Sequence, residues 1–218
     1  NLIPEHVLRK CKLKTTSPVK IPTYLKVDKE LMRLLGYYIA EGWLTKTGNH
    51  YVLSFCLHKD ENEYINEINY CLKKCFSNEA YIGHISKNSR KLCLNSILVS
   101  SVFRDLLKVS RGAKNKEVPE IVFNVSKELQ KEFIEGWHNG DLGSTASEKL
   151  ANDISYLSLF NSNIVPFYNR HKDSVIEGRK IESLEFYSNY YRRELSNFHT
   201  MIPMEIFNPL NKVHHRFS

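Results

Sequence analysis

The chain has 218 residues, of which 42% are hydrophobic and 11% aromatic, and it carries a formal net charge of +7 with a pI near 9.1. That length suits one large domain or two small halves sharing a core, and no apolar run reaches the roughly 18–20 residues needed to cross a bilayer. The basic excess favours a polyanionic partner, most simply nucleic acid, while five irregularly spaced cysteines fit a reduced cytoplasmic protein better than a disulfide framework.

Residues 1–27 read as a basic arm with three prolines and many lysines. A first half follows over 28–112. It opens with a helix over 28–41, with Asp28 as N-cap and Leu31, Leu34, Leu35 and Tyr38 on its apolar face. Alternation predicts a strand from Tyr51 to His58, with Val52, Ser54, Cys56 and His58 on one side and Tyr51, Leu53, Phe55 and Leu57 on the other. A charged amphipathic helix fits 60–75, strands fit 80–86 and 91–97 around a polar turn, and a helix fits 98–108. Cys71 and Cys75, one turn apart on the first of these two helices, have no second pair at finger-like spacing, which argues against zinc.

The second half, with its linker, covers 113–218. Helices are expected over 126–141, capped by Ser126, and over 146–160. Strands fit 164–171 and 180–187 around a turn near 173–178, and a helix fits 189–199. Between Asp141 and Ala146 there is almost no room for the hairpin that occupies 44–58 in the first half, so the second sheet should be the smaller.

The two halves share a motif. Leu34-Leu35-Gly36-Tyr37-Tyr38-Ile39-Ala40-Glu41-Gly42 is matched, one hundred residues later, by Ile134-Glu135-Gly136-Trp137-His138-Asn139-Gly140-Asp141-Leu142. In each, a glycine and a small residue four positions apart lie on one helix face, and an acid follows. Two such strips let helix backbones approach closely, which would bring Glu41 and Asp141 together at the helix C-termini. There they face an unfavourable partial charge as well as each other. A divalent ion with oxygen ligands would offset both. One copy alone could be a packing seam with solvated acids; two copies in register favour a paired site.

These motifs, with the element order and the basic balance, resemble the LAGLIDADG homing endonucleases, and most of all the single-chain type embedded in archaeal inteins. The second motif extends back to Phe133, and Ser147-Glu148-Lys149-Leu150-Ala151-Asn152-Asp153 resembles the helix start that follows it. The resemblance implies an α+β fold of two pseudo-symmetric halves packed through the motif helices, with a saddle of antiparallel strands for DNA. It implies hydrolysis of one phosphodiester on each strand of a long, asymmetric double-stranded site by a monomer, with Glu41 and Asp141 as ligands to Mg²⁺, for which Mn²⁺ can substitute. Lys116, in Lys116-Glu117-Val118-Pro119, matches the family's basic catalytic residue of the first half. Symmetry then points to Lys212 as its twin. The strand faces offer Ser54, His58, His84, Arg90, Asn95, Asn169 and His171 as DNA contacts, and Arg192 lies in a basic stretch beyond them.

Two departures stand out. The final glycine of the second motif is Leu142, whose β-carbon is expected to perturb the turn that places Asp141, and the hairpin after it is shortened. They keep open a second reading, a catalytically weak or inactive nucleic-acid-binding protein such as a maturase or regulator. The chain starts at Asn1 and lacks the terminal residues of intein splicing, which suggests an excised endonuclease part of an intein or a freestanding enzyme.

Overall fold

Asp28 starts the first helix where the sequence expects it: its carboxylate accepts from the Leu31 amide at 3.2 Å. In the computed structural model, residues 21–22, 24–48, 50–84, 88–109, 112–161, 167–176 and 179–188 are described. The arm up to residue 20, the helix expected over 189–199, Arg192 and Lys212 lie outside them. The chain is α+β. Helix α1 (Lys29–Glu41) runs into β1 (Gly42–Thr47), which pairs with β2 (His50–His58). Then come α2 (Asn62–Phe76), β3 (Tyr81–His84) and β4 (Ser89–Leu94). Helix α3 (Ile97–Ser101) continues as one wide turn over Val102–Leu106, so the single helix expected over 98–108 changes winding midway. After a 3₁₀ turn (Ala113–Asn115) come α4 (Glu120–Phe123), α5 (Lys127–Asp141), β5 (Ser144–Thr145), α6 (Glu148–Phe160), β6 (Phe167–Ile176) and β7 (Arg179–Ser188).

Two antiparallel sheets result, one of four strands in the order β1-β2-β4-β3 and one of three in the order β5-β7-β6. The second is smaller because β5 has only two residues, as the short spacer after Asp141 requires. Its hairpin is longer than expected. The turn placed near 173–178 is instead strand on both sides, with Val175 paired to Lys180 and Ile176 to Arg179.

The core centres on α1, whose residues Leu31 and Met32 and Leu34 through Ala40 are all buried. One side of the first sheet supplies Leu53, Phe55, Leu57, Leu92 and Leu94, and α2 supplies Ile65, Ile68, Leu72 and Phe76. Cys71 and Cys75 are also buried on α2; burial pushes the Cys71 thiol up to about 12, so neither presents a ready thiolate. The closest packing joins α1 to α5. A β-carbon on Gly36 would lie 2.2 Å from the Phe133 carbonyl oxygen, and one on Gly136 would lie 2.3 Å from that of Arg33. The two glycine strips therefore meet backbone to backbone, as their spacing predicts. Arg33 borders the seam and donates to Glu132 at 2.6 Å and to Glu135. Among the described residues, no helix is long and apolar enough to cross a membrane.

Candidate active site

The α1–α5 crossing brings the two motif acids to one place. One turn beyond the Gly36–Gly136 contact, a β-carbon on Gly140 would meet the Ala40 β-carbon at 2.4 Å and the Glu41 γ-carbon at 3.2 Å. Glu41 thus lies over the small residue that precedes Asp141, and each acid is the last residue of its helix. The exposed carbonyl ends of both helices face them, which disfavours negative charge at that position.

Lys116 enters from the segment after the 3₁₀ turn. Its ammonium donates to the Ala40 carbonyl, satisfying part of the open end of α1. Its charge is felt by both acids. Burial still dominates. It pushes the Glu41 carboxyl up to about 7 against the lowering influence of Lys116, with Glu61 adding a further push. It pushes Asp141 up to about 8, again opposed by Lys116, with Glu41 and Glu185 adding to the rise. Burial lowers the Lys116 pKa, while Asp141 and then Glu41 hold it up. Two carboxylates thus face one ammonium in a poorly solvated site. Ionising both leaves an uncompensated negative charge, which a divalent cation would neutralise. A cavity of about 270 Å³ opens beside Glu41, lined by Tyr38, Trp43, Leu44, Cys56 and Lys116 among others.

Strand register sorts the candidate DNA contacts. In the first sheet, Trp43, Ser54 and Cys93 stand abreast, as do Cys56 and Lys91, and His58 and Ser89. This is the face away from the helices, since Leu53, Phe55 and Leu57 alternate with it. His58 and Asn95 are exposed. Ser54 sits on the outer face but is fully buried, its hydroxyl 3.7 Å from the Cys93 sulfur. Its short side chain lies between larger cross-strand neighbours and cannot reach a base edge. Arg90 is a second correction. It pairs with Leu57, on the helix side, and its guanidinium donates to Asn62 of α2 at 2.6 Å. The strand begins at Ser89 instead of residue 91, so Arg90 lies within it on the helix side, and its neighbour Lys91 takes the outer face. The register pairs His84 with Arg90.

In the second sheet, Asn169 and His171 are exposed. They alternate in phase with Phe167, whose ring packs 6.0 Å from that of Trp137 on α5. The opposite, outer face carries Tyr168, Arg170, Glu185 and Tyr187. Arg170 stacks 4.9 Å from the Tyr187 ring and donates to Glu185 at 2.6 Å. In the first sheet, Lys91 stands 5.1 Å over the Trp43 ring, and the Trp43 indole donates to Thr45 at 2.8 Å. Each outer face therefore holds a cation on an aromatic ring. Sequence reasoning passed over Lys91 and Arg170. Counting two residues on from Glu41 would have found Trp43, but no local count finds Tyr187, which reaches the second outer face by pairing with Ser144, three residues after Asp141.

No protein-family model matches the chain. It is 32% identical over 156 residues to an uncharacterized protein of Methanocaldococcus jannaschii, covering 63% of this chain and 17% of that protein. It is 30% identical over 182 residues to transcription initiation factor IIB of the same organism, covering 83% of this chain and 24% of the factor. It is 27% identical over 150 residues to the DNA polymerase II large subunit of Thermococcus kodakarensis, covering 64% of this chain and 8% of the subunit. The chain thus spans less than a quarter of each of these relatives. Among solved structures, the homing endonuclease I-WcaI bound to its DNA recognition sequence aligns over 84% of this chain and 87% of that one, at 9% identity and a TM-score of 0.44, a likeness too slight to argue from.

Proposed function

We propose that this chain is a site-specific double-strand DNA endonuclease of the LAGLIDADG type, hydrolysing one phosphodiester on each strand of a long site as a monomer. One observation carries the reading: Glu41 and Asp141 end two helices in backbone contact, with one half-buried lysine serving both. A packing seam alone would let its edge acids turn to solvent. Here both are half-buried, and loss of water pushes them toward the neutral form, an arrangement that wants a cation.

Glu41 and Asp141 would hold magnesium. Their hard oxygen donors and their unbalanced charge fit it. Among the described residues no group of three or more His, Cys, Asp or Glu gathers to hold an ion, so water and the substrate phosphate would supply the other ligands. When bound, magnesium supplies Lewis acidity toward phosphoryl oxygen and a lower pKa for water. Lys116 presents a desolvated ammonium to the charge that develops on the phosphate. The outer faces of the two sheets, with Lys91 and Arg170 at their centres, flank the acids and would take the duplex on either side.

The relatives support a self-contained activity. Similar segments lie in proteins named as a polymerase subunit and as a transcription factor, and form a minor share of each. A module shared by hosts so differently named carries its own function, as an endonuclease embedded in host chains would. A second reading, DNA binding without efficient cleavage, is favoured by the small second sheet and by the high pKa of Asp141. The test is incubation of supercoiled DNA carrying the uninterrupted coding junction, with and without Mg²⁺. Metal-dependent linearisation that disappears in Asp141→Asn supports the nuclease. Tight binding with no cut at any metal concentration supports the alternative.

A further inference from the structure

We infer that Ser147 and Asp153 are positioning residues for Lys116, so that the opening turns of α6 hold the ammonium at the end of α1. The inference rests on Lys116 belonging to the site proposed above. Three consecutive residues are tied to α6. The Lys116 carbonyl accepts from the Ser147 hydroxyl at 2.6 Å. Glu117 lies 3.4 Å from the Lys149 ammonium. The Val118 amide donates to Asp153 at 3.1 Å.

Helix capping alone does not account for these contacts. As N-cap, Ser147 need only accept, which it does from the Leu150 amide at 3.2 Å. Its hydroxyl hydrogen is a separate resource, and in this fully buried residue it goes to Lys116. Asp153 caps nothing; it sits in the second turn of α6 and turns its carboxylate to the 116–118 segment and to Lys149. Val118 and Pro119 are buried just beyond, which prevents the segment from sliding. A lysine carries a long flexible stem, and its head group is placed only as well as its backbone is held. Here the backbone anchor comes from the helix that follows the second motif, while the head group reaches the end of the first motif helix. The lysine therefore links the two motif regions, and disturbing α6 should disturb chemistry at Glu41.

The experiment compares the full chain with Ser147→Ala, Asp153→Ala and Ser147→Thr. Lys116 is labelled in the native state with a water-soluble amine reagent and quantified by peptide mass spectrometry. The buried Cys71 thiol, labelled in parallel, reports any global opening. Ser147→Ala and Asp153→Ala should each raise the Lys116 labelling rate by about tenfold or more while Cys71 stays protected. Both should slow DNA cleavage while leaving DNA affinity within about twofold. Ser147→Thr, which keeps the hydroxyl, should match the parent in both measurements. Unchanged Lys116 labelling in the folded variants would overturn the inference. Should Ser147→Ala fail to fold, Asp153→Ala removes the acceptor for the Val118 amide, leaves the cap intact and decides alone. Labelling needs no DNA, so a chain that never cuts but loses Lys116 protection would refute the nuclease reading and retain the clamp.

Discussion

Helices α1 and α5 end in equivalent acids but leave them by different routes. After Glu41 the chain turns at once into β1, with Gly42 in an extended conformation at φ −93°. Gly42 is needed for space: a β-carbon there would lie 2.6 Å from both the Cα and the carbonyl oxygen of Tyr38. After Asp141 the chain takes an additional left-handed step at Leu142, φ +48°, and then Gly143 at φ +81°. A β-carbon on Gly143 would meet the Ser188 hydroxyl at 2.8 Å, so the close approach has moved one residue along. Leu142 itself is 73% exposed and packs on nothing that would dislodge Asp141. The missing motif glycine is therefore a relocated glycine. What the second exit loses is strand length, since β5 keeps only two residues where β1 has six.

If the shared seam matters more than the divergent exits, substitutions in the seam should do most damage. Gly36→Ala and Gly136→Ala each force a β-carbon into the partner's backbone, and should each cost about 3 kcal/mol or more. Urea denaturation would show it, and a loss under about 1 kcal/mol would mean that the helices can part cheaply. The acids come next. Glu41→Gln and Asp141→Asn should each lower double-strand cleavage by about 100-fold or more. Because both carboxyls are raised, the metal-free fold binds more protons than the unfolded chain between the ordinary carboxylate pKa values, 4.5 and 3.8, and the raised ones near 7 and 8. Its stability should be greatest below that window and fall as pH rises through it. Divalent metal should restore the loss near pH 8. At that pH and without metal, Asp141→Asn should be more stable than the parent by about 1 kcal/mol or more. A melting temperature that rises between pH 5 and 8 would contradict this.

The seam was legible because a glycine-to-small spacing has one geometric meaning on a helix, and the N-cap at Asp28 and the shortness of β5 were legible for similarly local reasons. Lys116 was not: nothing in Lys116-Glu117-Val118-Pro119 says where the chain will fold it, and only a family resemblance pointed to it. The Ser54 and Arg90 assignments failed for a different reason. A strand's alternation is readable, but its extent is less so: β4 takes in Arg90, which the local pattern leaves in the polar turn, and strand geometry then sets Arg90 on the helix side and Lys91 outside. Burial of Ser54 depends on which strands lie on each side, a tertiary fact that the local pattern does not carry.

The exits can be compared directly. Gly42→Ala should cost about 2 kcal/mol because the obstruction is backbone. Leu142→Gly should gain about 1 kcal/mol by relieving the left-handed strain of a branched side chain. Thermal denaturation of the two variants separates these effects. If Leu142→Gly destabilises the fold, the exposed leucine has a packing role in the second exit that its 73% exposure conceals.

The outer faces differ more subtly. Among the described residues no carboxylate pairs with the Lys91 ammonium, which stands over Trp43, whereas Arg170 is already paired with the nearly buried carboxylate of Glu185. Removing a free cation from a DNA interface should lower the slope of log affinity against log salt by about 1. Lys91→Ala is expected to do this. Arg170→Ala should lower the slope by less, because the guanidinium charge is partly neutralised before DNA arrives. It also takes one cation away from Glu185, whose charge already raises the Asp141 carboxyl, and should push that carboxyl further up. Its effect should therefore appear in the pH dependence of cleavage, shifted to higher pH, more than in the salt slope. Equal slopes for the two variants would mean that both sheets meet the DNA backbone with equivalent charge, and that the Glu185 pair is broken in the complex.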